Sequence, residues 1–425
     1  MEKRVVITGL GIVAPNGVGL DAFTNAIKNG VSGIKFDPEL ERLQFSCQIS
    51  GAPEISEELK SDYFTELELR NFNSTGILYG VIAGMDAWKD ADLPILHDEN
   101  PDWDSGTIFG TGTSGIEKFR ESIYKIDDFQ TRKLGSTAVA QTMNSGISAY
   151  LGGKLGLGNQ VTTNSSACTT GTESILMGYE RIKAGLAKRI LAGSTSDGGP
   201  YIWGGFDAMK VCTFKHNETP GQGSRPMSES ASGFVPGSGA GALVLEDLES
   251  ALARGVRIYA EVLGGNVNSG GQRGLGTMTA PNPTAVQKCI SDAVANAGIT
   301  TDDIDAINGH LTATSKDSLE IRNWSEALNK KGKDFPFINS LKSMVGHCLS
   351  ASGSVESVAS VLQVYHGFIF PNTNCEDLHP EITDCIDASR IPQQLIEKDI
   401  TILAKASFGF GDVNGCVILK KYSHE

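Results

Sequence analysis

Short hydrophobic runs alternate with longer segments of helical periodicity along most of the chain. The runs that predict strands form two series of five. The first series covers residues 4–8, 106–110, 159–163, 189–192 and 241–245, and the second covers residues 258–263, 304–307, 337–339, 402–404 and 416–419. Several runs are rich in Val and Ile and show little alternation, which is typical of strands buried on both faces. This order predicts an α/β protein with largely parallel sheets.

A short helical pattern over residues 248–254 separates the two series of strands. Gly255 follows it directly, and glycine commonly ends a helix. We therefore predict two halves, one over residues 1–255 and the other over residues 256–425. No linker rich in Pro or Ser joins them, so we expect the halves to share one core.

Composition and charge exclude several classes of protein. Of the 425 residues, 40% are hydrophobic and 20% are charged, which allows a large folded core. The net charge of −14 argues against nucleic acid as a partner, because phosphate binding needs clustered Lys and Arg. No apolar stretch is long enough for a membrane span, and the first residues do not form a signal peptide. The eight cysteines include no C-x-x-C pair, so we predict no zinc site, no disulfide framework and a cytoplasmic location.

Cys168 is the candidate nucleophile. A β-branched strand runs into small residues before Cys168, and a helical pattern follows as far as Gly185. At a helix N-terminus, unpaired N–H groups and the helix dipole favour a thiolate and can hold an oxyanion. A small buried cysteine that only packs at a helix start is the alternative interpretation, and it stays open at this point.

Two histidines follow predicted strands in the second half. His310 comes after residues 304–307 and precedes Thr312 and Thr314, and the glycine-flanked His347 comes after residues 337–339. Ligand sites in α/β sheets collect beyond the carboxyl ends of strands, so we expect Cys168 and both histidines to meet. A cysteine with two histidines can perform acyl transfer. Each histidine alone could instead be a hydrogen-bonded core or turn residue.

Two further patterns lie near these residues. Lys342 lies five residues before His347, and we predict a buried Lys342–Glu356 pair that orients the His347 ring. Residues 407–415 alternate aromatic residues and glycine, which suits a mobile gate at Phe410. The glycine-rich run at residues 110–115 lacks the features of dinucleotide and phosphate loops, so we predict no nucleotide cofactor.

Together these motifs resemble the elongating β-ketoacyl–acyl carrier protein synthases of the thiolase superfamily. The resemblance runs almost from end to end, and its specific pieces are residues 5–11, 166–171, 310–314, 342–347 and 408–414. It implies a five-layered αβαβα fold of two similar halves, in a homodimer or a heterodimer. It also implies that Cys168 takes an acyl group from an acyl carrier protein and that malonyl-carrier loses CO2 and attacks it.

The resemblance implies a role for each of several further residues. The backbone N–H groups of Cys168 and Phe410 would form the oxyanion hole, with Gly409 and Gly411 flanking the gate, and both histidines would bind the malonyl thioester oxygen. Substrate-binding positions would be Thr312 and Thr314 at the pantetheine arm, Phe234 at the decarboxylation site, and Phe206 and Thr113 elsewhere in the pocket. An exposed basic group would dock the acidic carrier: Arg70, Arg132, Lys133 and Lys210. No metal or separate cofactor is implied.

Three motifs depart from the usual family sequence. This chain has His310-Leu-Thr-Ala-Thr-Ser where the family usually has His-Gly-Thr-Ser-Thr-Pro. It has Ala231-Ser-Gly-Phe where the family usually has Arg-Asp-Gly-Phe, and Gly409-Phe-Gly-Asp where the family usually has Gly-Phe-Gly-Gly. The catalytic set is intact, so an active enzyme is expected, in ordinary fatty-acid synthesis or in a specialised fatty-acid, polyene or polyketide pathway.

Two alternatives to an active synthase remain. A non-catalytic subunit that sets chain length for an active homologue would normally lack the nucleophile, which this chain keeps. A thiolase that uses coenzyme A would need a second catalytic cysteine near the C-terminus. Cys416 lies in a predicted strand rather than a glycine-rich turn, and the second histidine also favours the synthase.

Overall fold

A computed structural model of the chain describes residues 2–97 and 99–423. Its strands are β1 (Val5–Ala14), β2 (Gly17–Val18), β3 (Lys35–Phe36), β4 (Ile49–Ser50), β5 (Ser105–Thr111), β6 (Val161–Thr162), β7 (Arg189–Ser196), β8 (Gly239–Asp247), β9 (Ala260–Ser269), β10 (Ala306–Asn308), β11 (Phe337–Asn339), β12 (Phe368–Ile369), β13 (Ile396–Glu397), β14 (Ile402–Gly409) and β15 (Val413–Lys420). Each of the ten predicted strands is found, with shifted ends.

Helices fill most of the segments between the strands. The α-helices are α1 (Leu20–Lys28), α2 (Pro38–Arg42), α3 (Glu57–Tyr63), α4 (Glu66–Leu69), α5 (Thr75–Asp90), α6 (Ile116–Asp127), α7 (Ala138–Thr142), α8 (Gly146–Leu155), α9 (Thr170–Lys183), α10 (Pro200–Ala208), α11 (Leu248–Arg254), α12 (Pro283–Asn296), α13 (Asp317–Leu328), α14 (Lys342–Val345), α15 (Ser352–His366) and α16 (Pro380–Thr383). Short 3-10 helices occupy Thr131–Lys133, Ala167–Thr169, Pro220–Gln222, Thr301–Asp303, Leu349–Ala351 and Ala388–Arg390.

One strand pattern occurs twice in the main sheet. The strand order is β11-β10-β14-β15-β9-β1-β8-β7-β5-β6, with β2 paired to β1. A short antiparallel ladder between β1 and β9 joins the two sides. Outward from this joint, each side has two antiparallel pairings followed by two parallel ones. The chain therefore contains two similarly built sets of five strands, while the division near residue 255 stays a prediction.

The expectation of largely parallel sheets is wrong. Among the ten strands of this path, only β5–β7, β5–β6, β10–β14 and β10–β11 run parallel. The long central strands are antiparallel, but helices cover both of their faces, so their sequences lack the alternation of a half-exposed strand. A continuous apolar run therefore indicated that a strand is buried, but it did not indicate the direction of that strand.

The helices and strands stack in five layers. On one outer face α5 and α8 pack on the first set of strands, around residues such as Leu151 and Val244. On the other outer face α12 and α13 cover the second set, around residues such as Trp324 and Ile418. The helices α9 and α15 lie between the two sets and share a third core with both. The predicted αβαβα architecture is confirmed.

The two central helices touch at their N-termini, which places the first turn of each at the middle of the molecule. A Cβ atom on Gly171 would lie 2.3 Å from the backbone nitrogen of Ser354, and one on Gly353 would lie 2.5 Å from that of Thr172. Only glycine at both positions allows this approach. Cys168 just precedes α9 and His347 precedes α15, so the crossing brings their segments together. Within the described ranges, no helix combines the length and hydrophobicity needed to cross a bilayer.

Candidate active site

Cys168, His310 and His347 line one cavity of about 330 Å³. The Cys168 Sγ atom and one ring nitrogen of each histidine all lie within 4.8 Å of one another. The structure therefore brings the three predicted residues together at the ends of the strands and helices that carry them. Two nearby lysine ammonium groups oppose a divalent metal ion at this trio, since like charges repel.

The turn that carries Cys168 is strained, and two backbone N–H groups are aimed at the sulfur, one from this turn and one from the loop of Phe410. Ala167 opens the 3-10 helix Ala167–Thr169 with φ of +50°, a left-handed conformation that is unfavourable for a residue with a side chain. The backbone N–H groups of Phe410 and Cys168 both donate toward Sγ. Once the sulfur carries an acyl group, the same N–H groups lie beside the carbonyl oxygen and can stabilise an oxyanion.

The expectation that Cys168 rests as a thiolate is wrong. Burial raises the pKa of its thiol to about 11, although Lys342 and the N–H groups of Phe410 and Cys168 act in the opposite direction. Desolvation of an anion outweighs these interactions because the sulfur is enclosed by both halves of the chain. The thiol must therefore lose its proton during acyl transfer.

The alkylation rate of Cys168 should show this high pKa. Because the thiolate is the reacting species, the rate with iodoacetamide is expected to rise about tenfold per pH unit between about pH 7 and pH 9. Peptide mass spectrometry separates Cys168 from the other seven cysteines. Free cysteine, with a pKa of about 8.5, provides the reference and levels off within the same experiment. A plateau for Cys168 below pH 8 would contradict the buried thiol.

Hydrogen bonds fix the His347 ring and its tautomer. The Leu349 N–H group donates to Nδ1 at 3.3 Å, and Ser352 Oγ lies 2.9 Å from the same atom. Nδ1 therefore carries no proton, and the neutral ring presents its N–H at Nε2. Burial, followed by Lys342 and Lys405, holds the pKa of His347 well below its ordinary value, so the ring is neutral at physiological pH.

The His310 ring is held differently. Glu320 accepts hydrogen bonds from the backbone N–H groups of His310 and Leu311, both at 2.7 Å, which fixes the loop. The buried Nδ1 atom has no partner among the described residues. Burial, then Lys342 and His347, holds the pKa of His310 well below its ordinary value. A neutral ring with one free nitrogen can accept a proton.

A buried cluster of three charges lies next to the histidines. Lys342 Nζ bonds to one Glu356 oxygen, and Lys405 Nζ lies 2.7 Å from the other. The predicted Lys342–Glu356 pair is thus present, but Ser352 and the Leu349 N–H group make the hydrogen bonds to His347 instead. Sequence reasoning missed Lys405, although a lysine in the apolar strand β14 was a usable signal.

Glycines bring the gate loop against the nucleophile. A Cβ atom on Gly409 would lie 3.1 Å from the Cys168 nitrogen and 2.9 Å from Thr169 Oγ1, closer than real Cβ atoms normally approach. Gly411 has φ of +90°, which a side chain disfavours. The loop that carries Phe410 therefore depends on glycine at both flanking positions.

Three phenylalanines form an aromatic wall beside His347. Phe206 and Phe410 have ring centroids 6.0 Å apart, and those of Phe206 and Phe234 are 5.6 Å apart. The Phe234 ring packs edge-on against His347 with centroids 5.2 Å apart. All three line the cavity. Their arrangement gives the histidine an apolar surrounding that excludes water.

Asp412, which stands at the end of the gate loop, ties that loop to residues 270–282. Its carboxylate accepts hydrogen bonds from the N–H groups of Gln272 at 3.0 Å and Asn282 at 2.8 Å. Asp412 has φ of +62° and is buried. Residues 279–281 line the cavity, so one side chain connects two segments of its wall.

We expect Asp412→Gly to loosen residues 270–282 without unfolding the protein. Two partly buried N–H groups lose their acceptor, at about 0.5–1.5 kcal/mol each, whereas glycine removes about 1–2 kcal/mol of left-handed strain. Amide exchange at Gln272 and Asn282 should accelerate by about fivefold or more, as hydrogen–deuterium exchange measures. Asp412→Asn keeps one acceptor oxygen and is the matched control. Unchanged exchange in the glycine variant would mean that other contacts hold the segment.

The threonines after His310 lie along the cavity, whereas Thr113 does not. Thr312 and Thr314 both line it, with their Oγ1 atoms 3.0 Å apart. Asp317 accepts a hydrogen bond from the Thr312 N–H group at 2.9 Å and holds this segment. Thr113 is exposed beyond the end of β5 and is absent from the lining of this cavity. Its assignment to an acyl pocket stays a prediction.

The four predicted docking residues do not form one continuous group at the cavity. All of them are exposed: Arg70, Arg132, Lys133 and Lys210. Lys210 directly precedes Val211, which lines the cavity, whereas Arg70, Arg132 and Lys133 have no neighbour in sequence that does. Lys316 is exposed and itself lines the cavity, and it was missed because it follows no recognisable motif.

Comparisons with known proteins agree with this geometry. Family models of the β-ketoacyl synthase N-terminal and C-terminal domains match residues 2–251 and 259–376. The chain is 32% identical over 428 residues to 3-oxoacyl-[acyl-carrier-protein] synthase 1 of Escherichia coli, with 99% of each chain covered. It is 32% identical over 431 residues to the chloroplastic 3-oxoacyl-[acyl-carrier-protein] synthase I of Arabidopsis thaliana, covering 99% of this chain and 87% of that one.

A solved structure extends the comparison to the fold. The ketosynthase of a type II polyketide synthase, in complex with its acyl-carrier protein, superposes with a TM-score of 0.87 at 26% identity. The superposition covers 99% of this chain and 100% of that one. The family models cover most of the chain, including the segments that carry Cys168, His310 and His347. On these grounds the chain is a member of the β-ketoacyl synthase family.

Proposed function

We propose that this chain is an active elongating β-ketoacyl–acyl carrier protein synthase. It joins an acyl group on Cys168 to a malonyl group on an acyl carrier protein and releases CO2. The observation that carries the proposal is the approach of Cys168 Sγ and two neutral imidazoles to within 4.8 Å, under two N–H groups aimed at the sulfur. No nucleotide or metal takes part in the steps below.

In the first step the acyl group moves from the carrier to the cysteine. Cys168 Sγ attacks the thioester carbonyl while the His310 ring nitrogen that lies within 4.8 Å of it accepts the thiol proton. The N–H groups of Cys168 and Phe410 stabilise the tetrahedral oxyanion. The carrier thiolate then leaves and takes the proton back from His310, so the site returns to its neutral state.

In the second step the malonyl group loses CO2. The electron pair of the broken C–C bond forms an enolate on the thioester oxygen. His347 donates to that oxygen from Nε2, because Leu349 and Ser352 occupy Nδ1. In its other neutral tautomer, with the proton on the nitrogen that faces the cavity, His310 supplies a second donor. The aromatic wall of Phe206, Phe234 and Phe410 favours an uncharged, departing CO2 over a bound carboxylate.

In the third step the enolate carbon attacks the thioester on Cys168. The oxyanion forms again under the N–H groups of Cys168 and Phe410, and the C–S bond breaks as the new C–C bond is completed. The sulfur leaves as a thiolate and takes up one proton from solvent, the proton that the overall reaction consumes, and the high pKa of the thiol favours this uptake. The product is a 3-oxoacyl group on the second carrier.

The partner in this reaction is an acyl carrier protein. Support comes from the relatives named as 3-oxoacyl-[acyl-carrier-protein] synthases and from the polyketide ketosynthase solved with its carrier. Thr312 and Thr314 offer hydroxyl groups to a pantetheine arm along the cavity. Arg70, Arg132, Lys133 and Lys210 are exposed cations able to meet an acidic carrier, with Lys210 next to the lining.

We also propose that two copies of the chain assemble, as a homodimer or with a homologous subunit. The surface of α6 and the following loop exposes several large apolar side chains: Phe119, Ile123, Tyr124, Ile126 and Phe129. Phe129 is 97% exposed, which is unfavourable in a monomer.

Free cysteines at all eight positions support a reducing compartment such as the cytoplasm.

The two alternatives are less well supported. A chain-length-setting subunit has no use for a nucleophile with its histidines and N–H groups in place. A thiolase needs a second reactive cysteine, whereas Cys416 lies in the apolar core of β15, where burial raises its pKa well above the ordinary value. Cys416 is also absent from the lining of the cavity.

Condensation by the purified chain alone tests the proposal. Given an acyl-carrier and a malonyl-carrier, the chain should produce one 3-oxoacyl-carrier for each CO2 released. Mass spectrometry of the carrier and labelled CO2 measure the two products. Acylated Cys168 without any 3-oxoacyl product would reject an independently active synthase and favour the need for a partner subunit.

A further inference from the structure

Lys405 is a fully buried charge to which the reaction above assigns no role. It lies in strand β14 among residues that are themselves buried, and its side chain is 0% exposed. Burying an ammonium group is costly unless its surroundings compensate for the lost hydration. An apolar residue of similar length would fill the same space at lower cost, so the charge itself requires an explanation.

The contacts of Lys405 show that it is a protonated ammonium group. Its Nζ atom donates to the Ala406 carbonyl oxygen, lies 2.7 Å from Glu356 Oε2, and lies 3.0 Å from Ser407 Oγ. The hydroxyl proton of Ser407 can go to Thr172 Oγ1, 2.9 Å away, which leaves Ser407 Oγ as an acceptor. The carboxylate oxygen 2.7 Å away holds the proton on Nζ, although burial lowers the pKa of Lys405 from its ordinary value.

The Lys405 ammonium group donates to Ala406 and Ser407 and lies against Glu356, so it is directed away from a substrate. It is also absent from the lining of the cavity. Its effect must therefore pass through Glu356 and through its charge. Glu356 receives Lys342 on one oxygen and Lys405 on the other, which fixes the carboxylate between two helices and a strand.

The charges around this cluster do not cancel locally. One carboxylate lies between two ammonium groups, which leaves one excess positive charge. The other titratable groups that face the cluster are Glu320, the two site histidines and three cysteines, Cys168, Cys348 and Cys416, whose raised pKa keeps their thiols uncharged. Burial and Asp317 raise the pKa of Glu320 to about 7, so it neutralises the excess only in part at neutral pH.

A further positive charge on either histidine would disrupt the site. A proton on His347 Nδ1 would face the N–H group of Leu349, which donates to that atom. A proton on the His310 nitrogen within 4.8 Å of Sγ would remove the acceptor that the thiol proton needs. Both rings must stay neutral, and a fixed cation next to them opposes their protonation.

We propose that Lys405 is a positioning residue that anchors Glu356 opposite Lys342 and supplies the fixed positive charge that keeps His310 and His347 neutral. Support from electrostatics is consistent: Lys405 lowers the pKa of both histidines, after the larger effects of burial and Lys342. The role of the charge in turnover rests on the proposed function, whereas the protonation of the rings does not.

Two variants separate the charge from the anchoring. Lys405→Met removes both, and Lys405→Gln removes the charge but keeps a side-chain donor for Glu356. Both variants should fold, because Glu356 remains paired with Lys342. Lys118→Met is the matched control, since Lys118 is a buried lysine of α6 that bonds to Glu121 and the Asn71 carbonyl, away from the histidines.

The measurement is the protonation of His310 and His347, followed by ¹⁵N NMR of labelled histidine between pH 5 and 8. In the unmodified protein both rings should stay neutral down to about pH 5. In Lys405→Met and Lys405→Gln the protonation midpoint of at least one ring should rise by about one pH unit or more. The acid limb of the pH profile of kcat/KM should shift upward by the same amount, and Lys118→Met should shift neither.

Each result decides the proposal. If the protonation midpoints of both histidines stay unchanged in both variants, the proposal is overturned. If a midpoint shifts in Lys405→Met alone, the role of the charge is overturned. If neither variant folds, a ring in the unmodified protein that titrates near the ordinary value of about 6.5 would overturn it as well. Shifted rings in a protein that performs no condensation would support Lys405 and reject the proposed function, so the two failures are distinct.

Discussion

Cys168→Ala is expected to abolish condensation, with turnover falling by at least about 10⁴-fold. The variant removes the sulfur that carries the acyl group between the two half-reactions, and no other cysteine among the described residues lines the cavity. The change is small, since the fold loses one sulfur atom next to a glycine-rich loop. Thermal unfolding should therefore shift little while 3-oxoacyl product disappears.

Cys385→Ala is the matched control for this loss. Cys385 is a partly buried free cysteine near the end of α16, and it does not line the cavity. The control should keep full activity and full acylation. Substantial product from Cys168→Ala would show that the carriers react without a covalent enzyme intermediate, contrary to the geometry around Sγ.

His347→Ala is expected to reduce malonyl decarboxylation and condensation by about 10²–10³-fold while acylation of Cys168 persists. Loss of one donor to a developing oxyanion costs about this much in other enzymes. Acylation uses a different pair of donors, the N–H groups of Cys168 and Phe410, and these stay in place. Acyl transfer and CO2 release, measured separately on the same preparation, reveal the split.

His366→Ala is the control for the histidine variant, because His366 is exposed at the far end of α15. It should change neither half-reaction. Equal losses of acylation and decarboxylation in His347→Ala would mean that the ring supports the whole site rather than the malonyl oxygen. The tautomer of His347 that Leu349 and Ser352 fix would then play no part in catalysis.

The placement of the three reacting residues could be predicted because each follows directly from local sequence. Cys168 stands between a strand and a helix, and His310 and His347 follow strands whose ends meet in any α/β fold of this kind. These junctions are encoded within a few residues. The burial of the strands could be predicted as well, because a strand that helices cover on both faces must be apolar throughout.

The electrostatic state of the site could not be predicted, since it depends on residues far apart in the chain. The thiol of Cys168 stays protonated because segments from both halves enclose it, among them the gate loop more than two hundred residues away. Lys405 has a partner only when α15 brings Glu356 to it. Asp412 looks like a turn residue until its bonds to Gln272 and Asn282 are known.

The prediction of strand direction was wrong for a related reason. An apolar sequence indicates that helices bury both faces of a strand. This burial requires the same apolar residues in parallel and in antiparallel strands, so the sequence does not distinguish the two directions. Thr113 was placed in the pocket by its position in a family motif, but its side chain in the described chain is exposed. Its assignment to an acyl pocket therefore stays a prediction.

The mass of the intact protein tests the nucleophile most directly. After incubation with an acyl-carrier, the mass should rise by one acyl group, and peptide sequencing should place that group on Cys168. Addition of malonyl-carrier should return the protein to its unmodified mass as product forms. An adduct on another residue, or one on Cys168 that malonyl-carrier fails to remove, would contradict the condensing mechanism.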